Sequence, residues 1–232
     1  MAARMGHGVR GKVFTMATQT CAVATPVFRG YLHLANALVA PFALLLLLFI
    51  ADSPREVVGG AVFGASLVIL YSTSATYHLF PLGRRLRGLM KRLDHSTIFV
   101  FIAGAYTPFT LSLMSNAWGI PVLSVVSGLA VVGFITSLAA PAAPRWIRVG
   151  LYFALGWVGI VAISELVTEL PGEAFAMLVL SGVLFSAGGT IYATRWPNLF
   201  PNVLGYHEMF HVLQVAATAL IYLVVVVYVL PS

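Results

Sequence analysis

Residues 207–230 read HEMFHVLQVAATALIYLVVVVYVL, a largely apolar run whose polar side chains gather at its start. A transmembrane helix needs roughly 20 mostly apolar residues, so this stretch predicts a helix that crosses a bilayer. His207 and His211 are four residues apart, which places both imidazoles on one face of that helix, one turn apart. Two imidazoles in this arrangement are a natural start for a zinc site, which needs at least one more protein ligand.

The composition indicates a membrane protein. The 232-residue chain is 60% hydrophobic and only 9% charged, whereas soluble domains have about 25% charged residues. The excess of 13 Lys and Arg over 7 Asp and Glu could indicate nucleic acid. The apolar content argues against that partner, and membrane topology explains the basic residues better. Cys21 is the one cysteine, so no intrachain disulfide can form.

The pattern predicts an all-α integral membrane protein with seven transmembrane helices in one bundle. The transmembrane domain is expected over residues 30–232, after a basic cytoplasmic tail of residues 1–29. A cleaved signal peptide is the alternative for that tail, but Thr, Gln and Pro interrupt its apolar part. The spans are predicted near residues 31–50, 57–80, 94–113, 118–140, 146–164, 173–192 and 207–230.

Lys and Arg fall almost entirely on one side of these spans. The tail holds four, the loop 81–93 holds five, the turn 141–148 holds two and the loop 193–206 holds one. These are twelve of the 13, and Arg55 alone lies on the other side. Because cytoplasmic loops are enriched in Lys and Arg, we predict a cytoplasmic N-terminus and an external C-terminus. The expected location is the plasma membrane, which the chain crosses seven times.

The predicted topology brings polar side chains from three spans to one depth. His78 ends the second span, Asp94 begins the third, and His207 and His211 begin the seventh, all on the cytoplasmic side. Ionisable groups inside spans are costly and usually face the interior of the bundle, and a shared metal would account for that cost. Ser74 is one turn from His78, so its hydroxyl points either into the same cavity or back to its own helix.

Each of these residues also has an ordinary structural explanation. His78 alone could be an interfacial histidine, and Asp94, which follows two basic residues, could be a helix N-terminal charge or an ion-pair partner. His95 is expected to point away from the face of Asp94, because adjacent helical residues diverge by about 100°. His33 and Asn36 near the start of the first span could be polar packing groups or could approach the site, and packing is the expectation.

HEMFH also satisfies the H-E-x-x-H pattern of zinc metalloproteases, in which the glutamate, here Glu208, is the general base. That interpretation needs a third ligand, and the two turns after the motif offer only Gln214 and Thr218 as polar residues. A membrane protease would have to take its third ligand from Asp94 or His78.

From about residue 29 onward the chain resembles the hemolysin III branch of the progestin and adipoQ receptor (PAQR) family. The matching stretches are SATYH at 74–78, LDHSTIF at 93–99, AGAYTPF at 103–109, ALGW at 154–157 and HEMFHV at 207–212. Many hemolysin III relatives also have a Thr-His pair in the first span. Here the corresponding region, residues 36–41, contains no histidine.

The resemblance implies a seven-helix bundle with a zinc ion near its cytoplasmic face. It implies His78, His207 and His211 as the metal ligands, and Asp94 and Ser74 as catalytic partners of a water at the metal. Relatives in the wider superfamily resemble ceramidases, which implies hydrolysis of an amide or ester in a sphingolipid-like molecule.

Two functions of different classes fit these features. In the first, the protein is a zinc-dependent hydrolase whose substrate is a membrane lipid. In the second, the zinc ion is structural, and the protein perturbs the membrane, forms a pore, transports or serves membrane homeostasis without turnover. Asp94 separates the two functions, because only catalysis requires its carboxylate. A homo-oligomer is possible, although the small-residue spacing of Gly60 and Gly64 is expected to serve packing within the chain.

Overall fold

The regular structure in the part of the chain that the structure describes is helical, and the predicted all-α fold with seven membrane-spanning helices is confirmed. The computed structural model describes residues 30–140, 142–199 and 203–230, and within these ranges seven helical spans are long and apolar enough to cross a membrane. The α-helices are α1 Tyr31–Ile50, α2 Pro54–Leu79, α3 Arg84–Pro108, α4 Asn116–Ala139, α5 Arg145–Gly156, α6 Ile163–Glu169, α7 Gly172–Thr194 and α8 Tyr206–Val224. The predicted tail, residues 1–29, lies outside the described residues.

Local sequence explains where the second span begins and ends. Ser53 caps α2 by accepting a hydrogen bond from the backbone N–H of Glu56, whose carboxylate accepts from the N–H of Ser53 in return. Pro54 occupies the first helical position, where its missing N–H costs nothing. At the other end Phe80 is extended, as expected for a residue before a proline, so α2 stops just after His78.

The third span starts earlier than the sequence indicated. It was predicted to begin at Asp94 after a basic loop over 81–93, but α3 is already helical from Arg84. The prediction was wrong because apolar content alone does not indicate where a helix begins. The segment is rich in Arg, Leu, Met and Lys, which are good helix formers, so a solvated helical extension precedes the apolar part. Asp94 therefore lies well inside α3, which excludes a helix N-terminal charge as its role.

The fifth span is not one regular helix. A 3-10 segment, Trp157–Ala162, separates α5 from α6. Tyr106 of α3 compensates for the interruption, because its hydroxyl donates to the carbonyl of Gly156 at 2.7 Å and accepts from the N–H of Gly159 at 2.8 Å. Two short π-helical turns, Phe109–Leu113 after α3 and Val225–Val229 after α8, complete the third and seventh spans.

The helices α2 and α3 lie at the centre of the bundle. Their apolar segments are 50% and 56% buried, the largest shares among the seven spans. Gly60 and Gly64 of α2 face α1, and a Cβ on Gly64 would lie 2.9 Å from the Cα of Leu44. The small-residue spacing thus serves packing within the chain, as predicted. Outward side chains are apolar, and Phe42 and Phe49 of α1 are 72% and 87% exposed, which suits a surface covered by lipid.

Glycine at the start of α1 brings that helix close to the end of α2. Gly30 has a φ of 92°, a left-handed conformation that side chains disfavour. A Cβ at this position would also lie 2.8 Å from the Cβ of His78. Only glycine lets the first turn of α1 lie directly against His78.

Candidate metal centre

Three histidines from two spans converge at one end of the bundle. His78 stands in the last turn of α2, and His207 and His211 stand in the first two turns of α8. The backbone N–H of Gly205 donates to the carboxylate of Glu208 at 3.1 Å, which fixes the start of α8 and with it the direction of both imidazoles. The predicted depth of these residues in the membrane had already indicated that the three histidines lie close together.

The Nε2 atoms of the three rings face one another. The separation is 2.8 Å between His207 and His211 and 3.4 Å between His207 and His78. One ligand atom from each ring lies within 4.8 Å of the others. Zinc–nitrogen bonds of about 2.0–2.1 Å in a tetrahedral site place two nitrogens about 3.3 Å apart. The three histidines therefore lie close enough to hold a metal ion, and three imidazoles are a donor set that suits zinc.

Asp94 and Ser74 lie beside the histidines. The Oδ2 of Asp94 is 3.9 Å from the Nε2 of His78, too far for a direct hydrogen bond. The buried Ser74 hydroxyl is close enough to interact with the Asp94 carboxylate, yet it completes no hydrogen bond of good geometry with the described residues. It does not bond back to its own helix, which was the alternative that the sequence left open. Both side chains line the same cavity as His207 and His211.

One cavity reaches the histidine cluster, and a second cavity adjoins the first. The first is about 30 Å³, room for one or two water-sized occupants, and is lined by the polar residues Ser74, Asp94, His207 and His211 among others. The second is about 260 Å³ and lies between the third, fifth, sixth and seventh spans. Five residues line both cavities: Ile98, Tyr152, Gly189, Phe210 and Gln214. The polar cavity and the apolar cavity are thus immediate neighbours.

The comparison with known proteins agrees with this architecture. The family model described as haemolysin-III related matches residues 21–222. The chain belongs to the haemolysin III-related family. The match covers the first six spans, the seventh span as far as residue 222, and every residue of the candidate metal centre.

Individual relatives support the same assignment. Hemolysin-3 of Bacillus cereus is 30% identical over 222 residues, which cover 94% of this chain and 97% of that protein. A hemolysin-3 homolog of Bacillus subtilis is 28% identical over 190 residues, 81% of this chain and 86% of the relative. The adiponectin receptor protein of Drosophila melanogaster is 28% identical over 182 residues, 72% of this chain but 41% of the receptor. The resemblance to hemolysin III and to the wider PAQR family is therefore confirmed.

In this haemolysin III-related chain, Glu208 does not share the cavity of its neighbouring histidines. It is buried, accepts the hydrogen bond from Gly205 and lines a separate cavity on the other side of His211. A metalloprotease of the H-E-x-x-H type needs this glutamate beside the metal as general base. The orientation of Glu208 therefore argues against the protease interpretation.

The structure also adds two histidines that sequence reasoning did not place at the centre. His33 of α1, expected to be polar packing, has its Nε2 at 2.5 Å from the Nδ1 of His211. His95 bonds the carbonyl of Lys91 at 2.6 Å and the hydroxyl of Tyr192 at 2.9 Å, so its ring is directed toward α7. The position of His33 in the first span was the available signal, because family relatives have a histidine in that span. In this chain the histidine of the first span, His33, lies before residues 36–41, the region where the family pattern places it.

Proposed function

We propose that this haemolysin III-related protein is a zinc-dependent hydrolase that cleaves an amide or ester bond of a membrane lipid. The supporting observation is the contact between the polar cavity of the histidine cluster and the apolar cavity of about 260 Å³. A pair of cavities of this kind fits a substrate with a polar scissile group and a long hydrocarbon chain. A soluble substrate would leave the apolar cavity without a role.

In the proposed site, His78, His207 and His211 would hold the ion. A zinc ion bound there would supply the Lewis acidity that polarises a substrate carbonyl and lowers the pKa of water. Asp94 accepts the proton of the attacking water and returns it to the leaving nitrogen or oxygen as the bond to the carbonyl carbon breaks. The hydroxyl of Ser74 orients the Asp94 carboxylate or the substrate carbonyl.

The proposed location is the plasma membrane, with the histidine cluster at its cytoplasmic side. The Lys and Arg distribution supports the cytoplasmic side for the cluster, because twelve of the 13 basic residues lie at the end of the bundle where the cluster is found or in the tail. The substrate would then be a lipid of the inner leaflet.

Metal content and lipid hydrolysis, measured on the same purified protein, test the proposal. Wild type should hold about one zinc per chain and hydrolyse a lipid amide or ester. His211→Ala should lose both properties, because the ion loses one of three protein ligands. Asp94→Asn should keep the zinc and lose turnover. Asp52→Asn, the same change at the opposite end of the bundle, is the matched control and should behave as wild type.

Two results would contradict the hydrolase. A folded wild type without metal would remove the zinc site altogether. Equal turnover by Asp94→Asn and wild type would show that the carboxylate takes no part in the chemistry.

A structural zinc ion without turnover is the second candidate function. It is supported by the small volume of the polar cavity, about 30 Å³, and by the name of the Bacillus cereus relative, Hemolysin-3. In this case the ion joins α2 to α8 and the protein acts on the bilayer as a whole. Purified protein should then release dye from phospholipid vesicles, Asp94→Asn should release it equally well, and His211→Ala should not.

A further inference from the structure

His33 makes the shortest contact in the centre although it is not among the three converging ligands. Its side chain is 1% exposed, and its ring meets the ring of His211 edge-on at a centroid distance of 4.1 Å. The bond joins the Nε2 of His33 to the Nδ1 of His211 at 2.5 Å. These two residues are 178 positions apart, so the bond depends on the packing of α1 against α8.

The direction of this hydrogen bond follows from the other nitrogen of His211. That nitrogen, Nε2, faces the Nε2 of His207 and is the one turned toward the cluster. A neutral imidazole has one N–H, so a ligating Nε2 leaves the hydrogen on Nδ1. His211 must therefore donate, and the Nε2 of His33 must accept. The hydrogen of His33 then sits on its own Nδ1, which is buried and has no hydrogen-bond partner within the described residues.

We propose that His33 is a positioning residue, which fixes the ring orientation and the tautomer of His211 for metal binding. The inference rests on the proposed metal site. Ligating histidines commonly donate their second ring nitrogen to an acceptor, which orients the ring and raises its basicity as a ligand. Here α1, which contributes no ligand to the cluster, supplies that acceptor.

The competing explanation is that the imidazole only fills space. His33 also lies 5.5 Å from the ring of Tyr71, so a packing role alone would be met by an apolar side chain of similar size. A positioning role requires an acceptor where Nε2 now lies. Glutamine can place its amide oxygen near that point, whereas leucine cannot, so the two substitutions separate the explanations.

The experiment measures zinc affinity by competition with a chelator for wild type, His33→Gln, His33→Leu and Asn36→Leu. Asn36 lies one turn further along α1, and its side chain bonds the carbonyl of Leu32 in the same helix, so Asn36→Leu is the matched control. His33→Leu should weaken zinc binding about 10-fold or more, the usual effect of removing such an acceptor. His33→Gln and Asn36→Leu should bind zinc like wild type.

Cobalt provides a second readout that packing alone would not change. With Co²⁺ in place of zinc, the visible absorption reports the geometry of the ligands. The spectrum of His33→Leu should differ from wild type, and His33→Gln should restore it. This comparison remains informative when His33→Leu is poorly folded, because His33→Gln keeps the polar group.

Each outcome bears on the inference. Equal zinc affinity in wild type and His33→Leu, or an equal loss in His33→Leu and His33→Gln, would overturn it. Wild type that binds no metal would overturn both this inference and the proposed function. Wild type that binds zinc with the predicted order of affinities but hydrolyses no lipid would leave the positioning role intact and remove only the hydrolase.

Discussion

The angle between neighbouring side chains decides the chemistry that HEMFH can support. His207 and His211 share a face of α8, while Glu208 is turned about 100° away and forms part of the helix start instead. The sequence was sufficient to predict the histidine pair and its depth. It could not decide whether His33 packs or approaches the site, because its partner His211 is 178 residues away and their contact depends on how α1 packs in three dimensions.

At the scale of single residues, we predict that Glu208→Gln leaves metal content and turnover unchanged. Glutamine still accepts the hydrogen bond from Gly205, so the helix start is preserved while a carboxylate base is removed. Glu208→Ala should keep the metal but lower the free energy of unfolding by about 1 kcal/mol, because the cap is lost. Elemental analysis and thermal unfolding in detergent provide the check. If Glu208→Gln lost activity but kept the metal, the result would support the protease interpretation instead.

Helix boundaries and irregularities were the least predictable features of the elements. Apolar periodicity located all seven spans, but it missed the helical start of α3 at Arg84 and the 3-10 segment Trp157–Ala162. The first error arose because basic residues can form a helix outside the apolar region. The second arose because the interruption depends on Tyr106 of another span, which satisfies the freed backbone groups.

Tyr106→Phe should destabilise the fifth span without affecting the metal. The substitution removes the hydroxyl that bonds both Gly156 and Gly159. Losing a hydrogen bond costs about 1–3 kcal/mol when its partner is left unsatisfied. We expect a lower unfolding temperature and an unchanged zinc content. Unfolding identical to wild type would mean that the 3-10 segment is stable without this contact.

Two glycines of α4 form a matched pair for testing close helix packing. A Cβ on Gly133 would lie 2.3 Å from the ring of Phe99, whereas a Cβ on Gly128 would meet nothing within 4 Å. Gly133→Ala should therefore cost about 1–3 kcal/mol through overpacking. Gly128→Ala should be neutral or slightly stabilising, since alanine is the better helix former. Thermal unfolding of both variants measures the difference, and equal effects would contradict the packing of α3 on α4.

On the scale of the whole molecule, the distribution of charge predicts which end faces the cytoplasm. In a chain whose cysteine is replaced, Cys21→Ser, we would add Gly88→Cys at the basic end or Asn116→Cys at the opposite end. Both positions are exposed. A membrane-impermeant maleimide should label Asn116→Cys in intact cells and Gly88→Cys only after permeabilisation. The reverse pattern would place the histidine cluster at the outer face.

The order in which the ligands occur along the chain has a consequence for biosynthesis. His78 belongs to the second span and His211 to the last, so a growing chain cannot hold the complete set before α8 leaves the ribosome and enters the membrane. Until then the chain presents only His78 of the three converging histidines. Products truncated before α8 therefore lack two of the three histidines. If the proposed zinc site is correct, metal occupancy will mark a chain that has been translated and inserted through its seventh span.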